Sequence, residues 1–140
     1  MAKAQTLTFS KFLVSLGNGA TPEVFAAPCG LNSRSFNRTA ATNETNVPDC
    51  DDPDAPSWLE RDIVSLSASI SGAGVVADED FDTWNAWFES GDSKNVQIKL
   101  GTTRTWTGPY KLTKLNITGQ RGSRTTFDVT LDSDGETVLQ

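Results

Sequence analysis

Histidine is absent from this 140-residue chain. Its absence removes the commonest general base, proton shuttle and metal ligand together, and so weakens any catalytic reading. Cations are scarce: 12 Lys and Arg face 18 Asp and Glu, a formal charge of -6. A nucleic-acid reader needs clustered Lys and Arg to neutralise phosphates, so that class is excluded, and an acidic surface repels DNA instead. No apolar run approaches the ~18 residues of a membrane span, and Met1 to Phe9 carries no signal-peptide core, which predicts a chain made and kept in a cytosol with no membrane partner. The only two cysteines, Cys29 and Cys50, match no zinc spacing and, in a reducing compartment, read as free thiols. Core-forming residues are thin, at 36% apolar content, so some surface is expected to need a partner.

What is present alternates with period two. Leu7 to Leu16 reads as a first strand, the turn formers Gly17 to Pro22 double the chain back, and Glu23 to Ala27 reads as the hairpin partner. A third strand is expected at Ser33 to Ala40, with Arg34 and Arg38 flanking Phe36 on one face. From Ala41 to Ser57 the pattern dissolves into Asn, Thr, Asp and Pro, including Pro48, Pro53 and Pro56. A loop of that length inside one domain is the first place to look for an interaction role. Arg61 to Val76 gives the longest strand signal: Val64, Leu66, Ala68 and Ile70 alternate with Ser65, Ser67 and Ser69, and Gly72 and Gly74 point to a bend or a close backbone neighbour.

Asp78 to Gly91 is the one helix signal, with acids in its first turn and glycine just past its end. Phe81, Trp84 and Phe88 share a face that Trp87 adjoins, which predicts these four as the helix-to-sheet core. Val96, Ile98 and Leu100 alternate next, then Trp106 and Tyr110, then Leu115 and Ile117. The apolar phase slips near Thr113, which predicts a bulge. Gly119 to Ser123 is a tight connection into Phe127, Val129 and Leu131. About seven strands and one helix in a single domain over 1–140 predict a mainly β (α+β) fold, a β-sandwich or half-barrel with one flanking helix.

Candidate chemistry is sparse. Asp49, Asp51, Asp52, Asp54 and Glu60 suggest a calcium loop, but an EF-hand wants an oxygen ligand and then glycine where Pro53 and Asp54 stand, so no metal or other cofactor is expected. The serine row has no base to activate a hydroxyl. Asp78 and Asp80, the best carboxylate pair for a hydrolase, are explained by the helix start, and no catalytic residue is assigned. Three Asn-X-Thr triplets, at Asn37, Asn43 and Asn116, are chance matches in a chain without an export signal. Trp58, Trp84, Trp87 and Trp106 allow a sugar-stacking platform, the basis of an alternative reading as a monomeric carbohydrate-binding or adhesin-like β-sandwich. Core or interface packing accounts for them better.

The segment from Cys29-Gly-Leu-Asn-Ser-Arg-Ser-Phe-Asn-Arg-Thr39 through Asp49-Cys-Asp-Asp-Pro-Asp-Ala-Pro-Ser-Trp58 closely resembles tail tube proteins of siphophages and related prophages. Ser71-Gly-Ala-Gly74, Phe81-Asp-Thr-Trp-Asn-Ala-Trp-Phe88, Asn95-Val-Gln-Ile-Lys-Leu100, Trp106-Thr-Gly-Pro-Tyr110 and Ile117-Thr-Gly-Gln-Arg-Gly122 extend the likeness over nearly the whole chain. The resemblance implies a structural virion protein: six copies per ring, stacked rings, and an inner β-barrel built from strands of all subunits, through which DNA passes without sequence-specific binding. It implies a place in the phage tail after synthesis in the host cytoplasm, beside tape measure, tail terminator and distal tail proteins. On this footing the 41–57 loop is expected to reach a neighbouring copy. Arg34, Arg38, Asp49, Asp51, Asp52, Asp54 and Trp58 are the expected contact residues, while Ser65, Ser67 and Ser69 are the expected lumen face, with Val64, Leu66, Ala68 and Ile70 packed inward against the helix.

Overall fold

A computed structural model describes residues 2–19 and 22–139. The expected turn after the first strand includes Ala20 and Thr21, which lie outside the described residues. The flanking parts close the hairpin: Gly19 N donates to Glu23 Oε2 at 3.0 Å and Val24 N to Asn18 Oδ1 at 3.1 Å.

Among the described residues eight strands and one α-helix follow in the order β1 (Phe12–Gly17), β2 (Phe25–Ala26), β3 (Leu31–Val47), β4 (Trp58–Val75), α1 (Asp78–Ser90), β5 (Lys94–Leu100), β6 (Arg104–Thr118), β7 (Thr126–Ser133) and β8 (Val138–Leu139). They form one continuous sheet in the order β2-β1-β5-β6-β7-β4-β3, with β8 added beside β6. The pairings β1/β2, β1/β5, β4/β7, β5/β6, β6/β7 and β6/β8 are antiparallel, so the mainly β expectation with one helix holds. Strand β6 ties the sheet together. Its first half pairs with β5 and β8, its second half with β7.

By its contacts the chain divides into two compact units, Met1–Asn37 with Ala68–Gln140, and Arg38–Ser67. The first unit holds the core. Val14, Leu16, Val96, Ile98, Tyr110, Leu112, Phe127, Val129 and Leu131 all point to one side at period two, and α1 covers them. Acids at Asp78, Glu79 and Asp80 sit at the positive end of the helix dipole, and Gly91 ends the helix in the left-handed conformation, φ 69°, that glycine adopts without a Cβ penalty.

Trp84 and Trp87 are 2% and 4% exposed and stack on each other 6.1 Å apart, and Trp84 meets Phe127 at the same distance. The indole Nε1 of Trp87 is not stranded, because it donates to Asp92 O at 2.8 Å. Phe88 departs from the expected helix core: it is 46% exposed. At about 100° per residue the buried arc centres between Trp84 and Trp87, so Phe88 falls on the flank beside the half-buried Phe81.

Element boundaries also differ, among them that of β4, which begins at Trp58 rather than Arg61. The first strand does not begin at Leu7; a 3-10 turn, Phe9–Lys11, precedes Phe12, closed by Lys11 N donating to Thr8 O at 3.0 Å. Strand β3 runs to Val47, so the expected loop over 41–57 shrinks to 48–57. A ladder is made by the backbone, and the polar run Ala41-Thr-Asn-Glu-Thr-Asn46 hid it from a reading based on burial; only the prolines, from Pro48, stop it. Leu115 and Ile117 continue β6 rather than forming a further strand. The bulge at Thr113 is where the phase slip placed it, between Leu112 and Lys114. The glycines of β4 also behave as expected: a Cβ at Gly74 would strike the Gly30 carbonyl and lie 2.8 Å from Leu31 Cα, so the bare backbone there admits a crossing chain.

Candidate functional site

Two surfaces stand out, one in each unit. The second unit is a two-stranded ribbon made of the end of β3 and the start of β4, joined by residues 48–57. All its side chains are exposed except half-buried Ala55. Its internal ties are few: Arg61 Nε donates to Glu44 at 3.0 Å across the ribbon, Asp51 N to Asp49 Oδ1 at 2.9 Å, and Ala55 N to Asp52 O at 3.1 Å. The Arg61–Glu44 pair is solvated on both sides and adds little stability.

Against that hydrated background the ribbon exposes Val47, Leu59, Ile63, Val64, Leu66 and, most of all, Trp58 at 89%. The expectation that Val64 and Leu66 pack inward with Ala68 and Ile70 is corrected here. Ala68 and Ile70 are buried, whereas Val64 and Leu66 are 65% and 75% exposed, because the core of the first unit starts only at Ala68. A two-stranded ribbon without a core is marginal in water, and this many exposed apolar side chains mark an association surface.

The acids expected at a contact, Asp49, Asp51, Asp52 and Asp54, lie together in the 48–57 connection, and Arg38 is exposed at the ribbon's first residue. Arg34 belongs to the first unit. Its guanidinium donates to the carbonyls of Phe9 (3.3 Å) and Phe12 and lies 4.1 Å from the centre of the Phe9 ring. Partial burial pushes its pKa down, but arginine stays charged at any working pH. Arg34 therefore pins its own chain's N-terminal segment.

The second surface is the outward side of β6, β7 and β4 within the first unit. Inward residues of β7 are Phe127, Val129 and Leu131, which leaves Asp128, Thr130 and Asp132 outward. In β4, Ala68, Ile70, Gly72 and Gly74 point in, and Ser69, Ser71 and Ala73 point out. The bulge at Thr113 reverses the phase of β6, so that Lys111 before it and Lys114 and Asn116 after it share the outward side. Register then sets the rows: Lys111 beside Asp132 beside Ser69, Lys114 beside Thr130 beside Ser71, and Asn116 beside Asp128 beside Ala73.

Asp128 is held twice, by Asn116 Nδ2 at 3.0 Å and Lys114 Nζ at 3.2 Å. The Asn116 hydrogen bond, followed by that from Lys114, holds its carboxyl below the usual aspartate value of 3.8. Asp132 takes a hydrogen bond from the Thr113 hydroxyl at 2.9 Å, and Lys111 Nζ lies 3.8 Å from Asp134.

The expected lumen row of Ser65, Ser67 and Ser69 is thus split between the units: Ser65 and Ser67 belong to the ribbon, and Ser69 to the polar face. Sequence reading missed Lys111, Lys114, Asn116, Asp128 and Asp132 as members of that face. The signal was available, since the predicted bulge fixes which side of β6 carries the lysines. Among the described residues no three Cys, Asp or Glu come together as a metal site, and no helix is long and apolar enough to cross a membrane. Asp80 Oδ2 accepts the Cys29 amide at 2.7 Å, a structural tie between the helix start and the β2–β3 connection, and both cysteines are exposed free thiols.

The architecture is shared with solved structures. A chain from the tail of an empty gene transfer agent (GTA) particle, refined helically with C6 symmetry, superposes with a TM-score of 0.80 at 21% identity, over 96% of this chain and 99% of that one. A chain from the sheath/tube terminator of an extracellular contractile injection system (PVC) gives 0.66 at 19% identity, covering 99% of both. The SPP1 tail tube gives 0.66 at 8% identity, covering 96% of this chain and 79% of that one. No curated protein sequence matches the chain. The family model for phage tail tube proteins matches residues 6–139, which span both units, and the chain belongs to that family.

Proposed function

We propose that this tail tube protein works as a homo-oligomer, six copies to a ring and ring upon ring, forming the tube through which DNA reaches the host. The residues 1–140 act as one tube-subunit domain, and the role is structural rather than enzymatic. The observation that carries the assembly is the ribbon Arg38–Ser67, which buries almost nothing of its own and exposes Trp58, Val64 and Leu66. A second copy of the chain is its partner, since a tube is built by repeating one heterologous contact. In that contact the acids of the 48–57 connection and Arg38 set register more than affinity. The sixfold gene transfer agent tail supports the ring number. Tape measure, tail terminator and distal tail proteins are the proposed partners at the tube's interior and ends.

The lumen is lined, within the first unit, by the outward face of β6, β7 and β4, which includes Ser69; Ser65 and Ser67 of the ribbon are lumen residues on the second unit's own account. The opposite face is closed by the core and α1, and cannot be wetted without exposing Trp84 and Trp87. The carbohydrate-binding alternative loses its basis, because of the four tryptophans only Trp58 is exposed; Trp84 and Trp87 are buried and Trp106 is half-buried against Phe36.

Thiol protection tests the lumen assignment. In a background with Cys29 and Cys50 replaced by serine, Ser67→Cys and Ser71→Cys should react with a bulky maleimide as free subunits and be shielded at least about tenfold in tubes, as burial inside an assembly requires. Equal labelling in both states would place this face on the outside of the tube.

A further inference from the structure

The end of the β1–β2 hairpin carries chemistry that closing a turn does not require. Asn18 is the one asparagine in this chain that glycine follows. In such a pair the main-chain nitrogen of the glycine can attack the side-chain carbonyl carbon of the asparagine, since the two are already tethered at ring-closing distance and glycine has no Cβ to obstruct closure. The groups around this pair stand where that attack needs them. Gly19 N donates to Glu23 Oε2 at 3.0 Å, so the proton of the nucleophile already points at a carboxylate. Val24 N donates to Asn18 Oδ1 at 3.1 Å, on the oxygen where negative charge develops when the carbonyl is attacked.

Glu23 is itself held in place. Its Oε1 accepts from Asn95 Nδ2 on β5 at 2.8 Å, and its carboxyl lies over Gly17, where an added Cβ would come within 2.5 Å of Oε2. The side chain is half-buried, while Asn18 and Gly19 are exposed and reached by water. A carboxylate fixed at both oxygens beside a wet Asn-Gly pair is a positioned base.

We propose that Asn18 is a self-modification site with Glu23 as its base. Glu23 takes the proton from Gly19 N as that nitrogen bonds to Asn18 Cγ. The Cγ–Nδ2 bond then breaks, and Nδ2 receives the proton and leaves as ammonia. Water opens the resulting succinimide, at Cγ to give aspartate or at the main-chain carbonyl to give isoaspartate, with no oxidant or cofactor in either step. Either product places a new negative charge beside Glu23. Isoaspartate also lengthens the main chain by a methylene next to the Gly17–Phe25 pair, and β2, only two residues long, offers few ladder bonds to resist the change.

The test follows the peptide holding residues 18 and 19 by mass spectrometry while the folded protein stands in neutral buffer, with an isoaspartyl methyltransferase assay reporting the isoaspartate share. Wild type should convert at Asn18 ahead of every other asparagine. E23Q keeps an oxygen to which Gly19 N can donate but has no basicity, and should convert on the order of tenfold more slowly. In denaturing urea, where Glu23 is no longer held against Gly19, wild type and E23Q should convert alike. The proposal is overturned if folded wild type does not convert at Asn18. It is overturned equally if folded E23Q converts as fast as wild type or faster, since the carboxylate would then lock the amide instead of activating it. A difference that persists in urea would assign the effect to sequence proximity and overturn it too. If E23Q fails to fold, N95A, which frees the carboxylate from its second donor, should slow conversion in the same sense, and an unchanged rate there rejects the role of Glu23.

Discussion

Trp58→Ala is expected to leave the subunit folded, with a melting temperature within about 2 °C of wild type, and to suppress tube formation. The two halves of this result follow from one number: Trp58 is 89% exposed in the single chain. A side chain with so little contact contributes little to folding, and surface truncations of this kind stay within about 0.5 kcal/mol. The same indole is the largest apolar group on a ribbon that buries nothing, which is the position of an anchor rather than a rim residue. Truncating a buried tryptophan anchor costs about 2 kcal/mol or more at each contact, so the concentration needed for assembly should rise on the order of 30-fold. Sedimentation of purified protein over a concentration series, paired with a thermal melt, reads both halves. Unaltered assembly would remove the ribbon from the interface, while a large loss of melting temperature would show that Trp58 packs within its own chain.

The largest effect on stability is expected from Trp84→Ala. Trp84 touches Trp87 on the helix and Phe127 on β7, and so joins the helix to the sheet it covers. Removing it leaves a cavity that the flat face of a sheet cannot collapse to fill, at a cost of about 3 to 5 kcal/mol. That is a large share of the ~5 to 15 kcal/mol that holds a domain together, and the melting temperature should fall by about 10 °C or more. Phe88→Ala on the same helix, at a half-exposed flank position, should cost less than a third as much. Equal losses for the two variants would mean that the helix packs on its Phe81/Phe88 side instead.

These two tryptophans also show what a sequence reveals and what it conceals. Trp84 was legible because the period of a helix and the period of a strand each produce a repeating apolar signal, and the same signal located β5, β7 and the bulge at Thr113. Phe88 was misplaced because a four-residue apolar set on a short helix spans more than its buried arc, and only packing decides which edge is left out. The ribbon was hidden for a different reason. Residues 41–47 carry no burial pattern, since nothing in their own chain buries them, and a ladder held by backbone hydrogen bonds leaves no periodic trace in side chains. Arg34 shows a third limit: its spacing with Phe36 and Arg38 fixed its strand face, but not that the 3-10 turn at Phe9–Lys11 would bring two carbonyls within its reach. The polar face was half legible. Asp128, Thr130 and Asp132 alternate plainly, yet their lysine and asparagine partners come from β6 across a register that only the structure supplies.

Cryo-electron microscopy of the purified protein, concentrated alone and with its neighbouring tail proteins, tests the central claim most directly. The account predicts tubes of uniform width with sixfold rings, each ribbon Arg38–Ser67 seated on another copy, and Asp128, Asp132, Lys111 and Lys114 facing the channel. A protein that stays monomeric under both conditions, or tubes that carry the Lys114–Asp128 face on their outer surface, would contradict it.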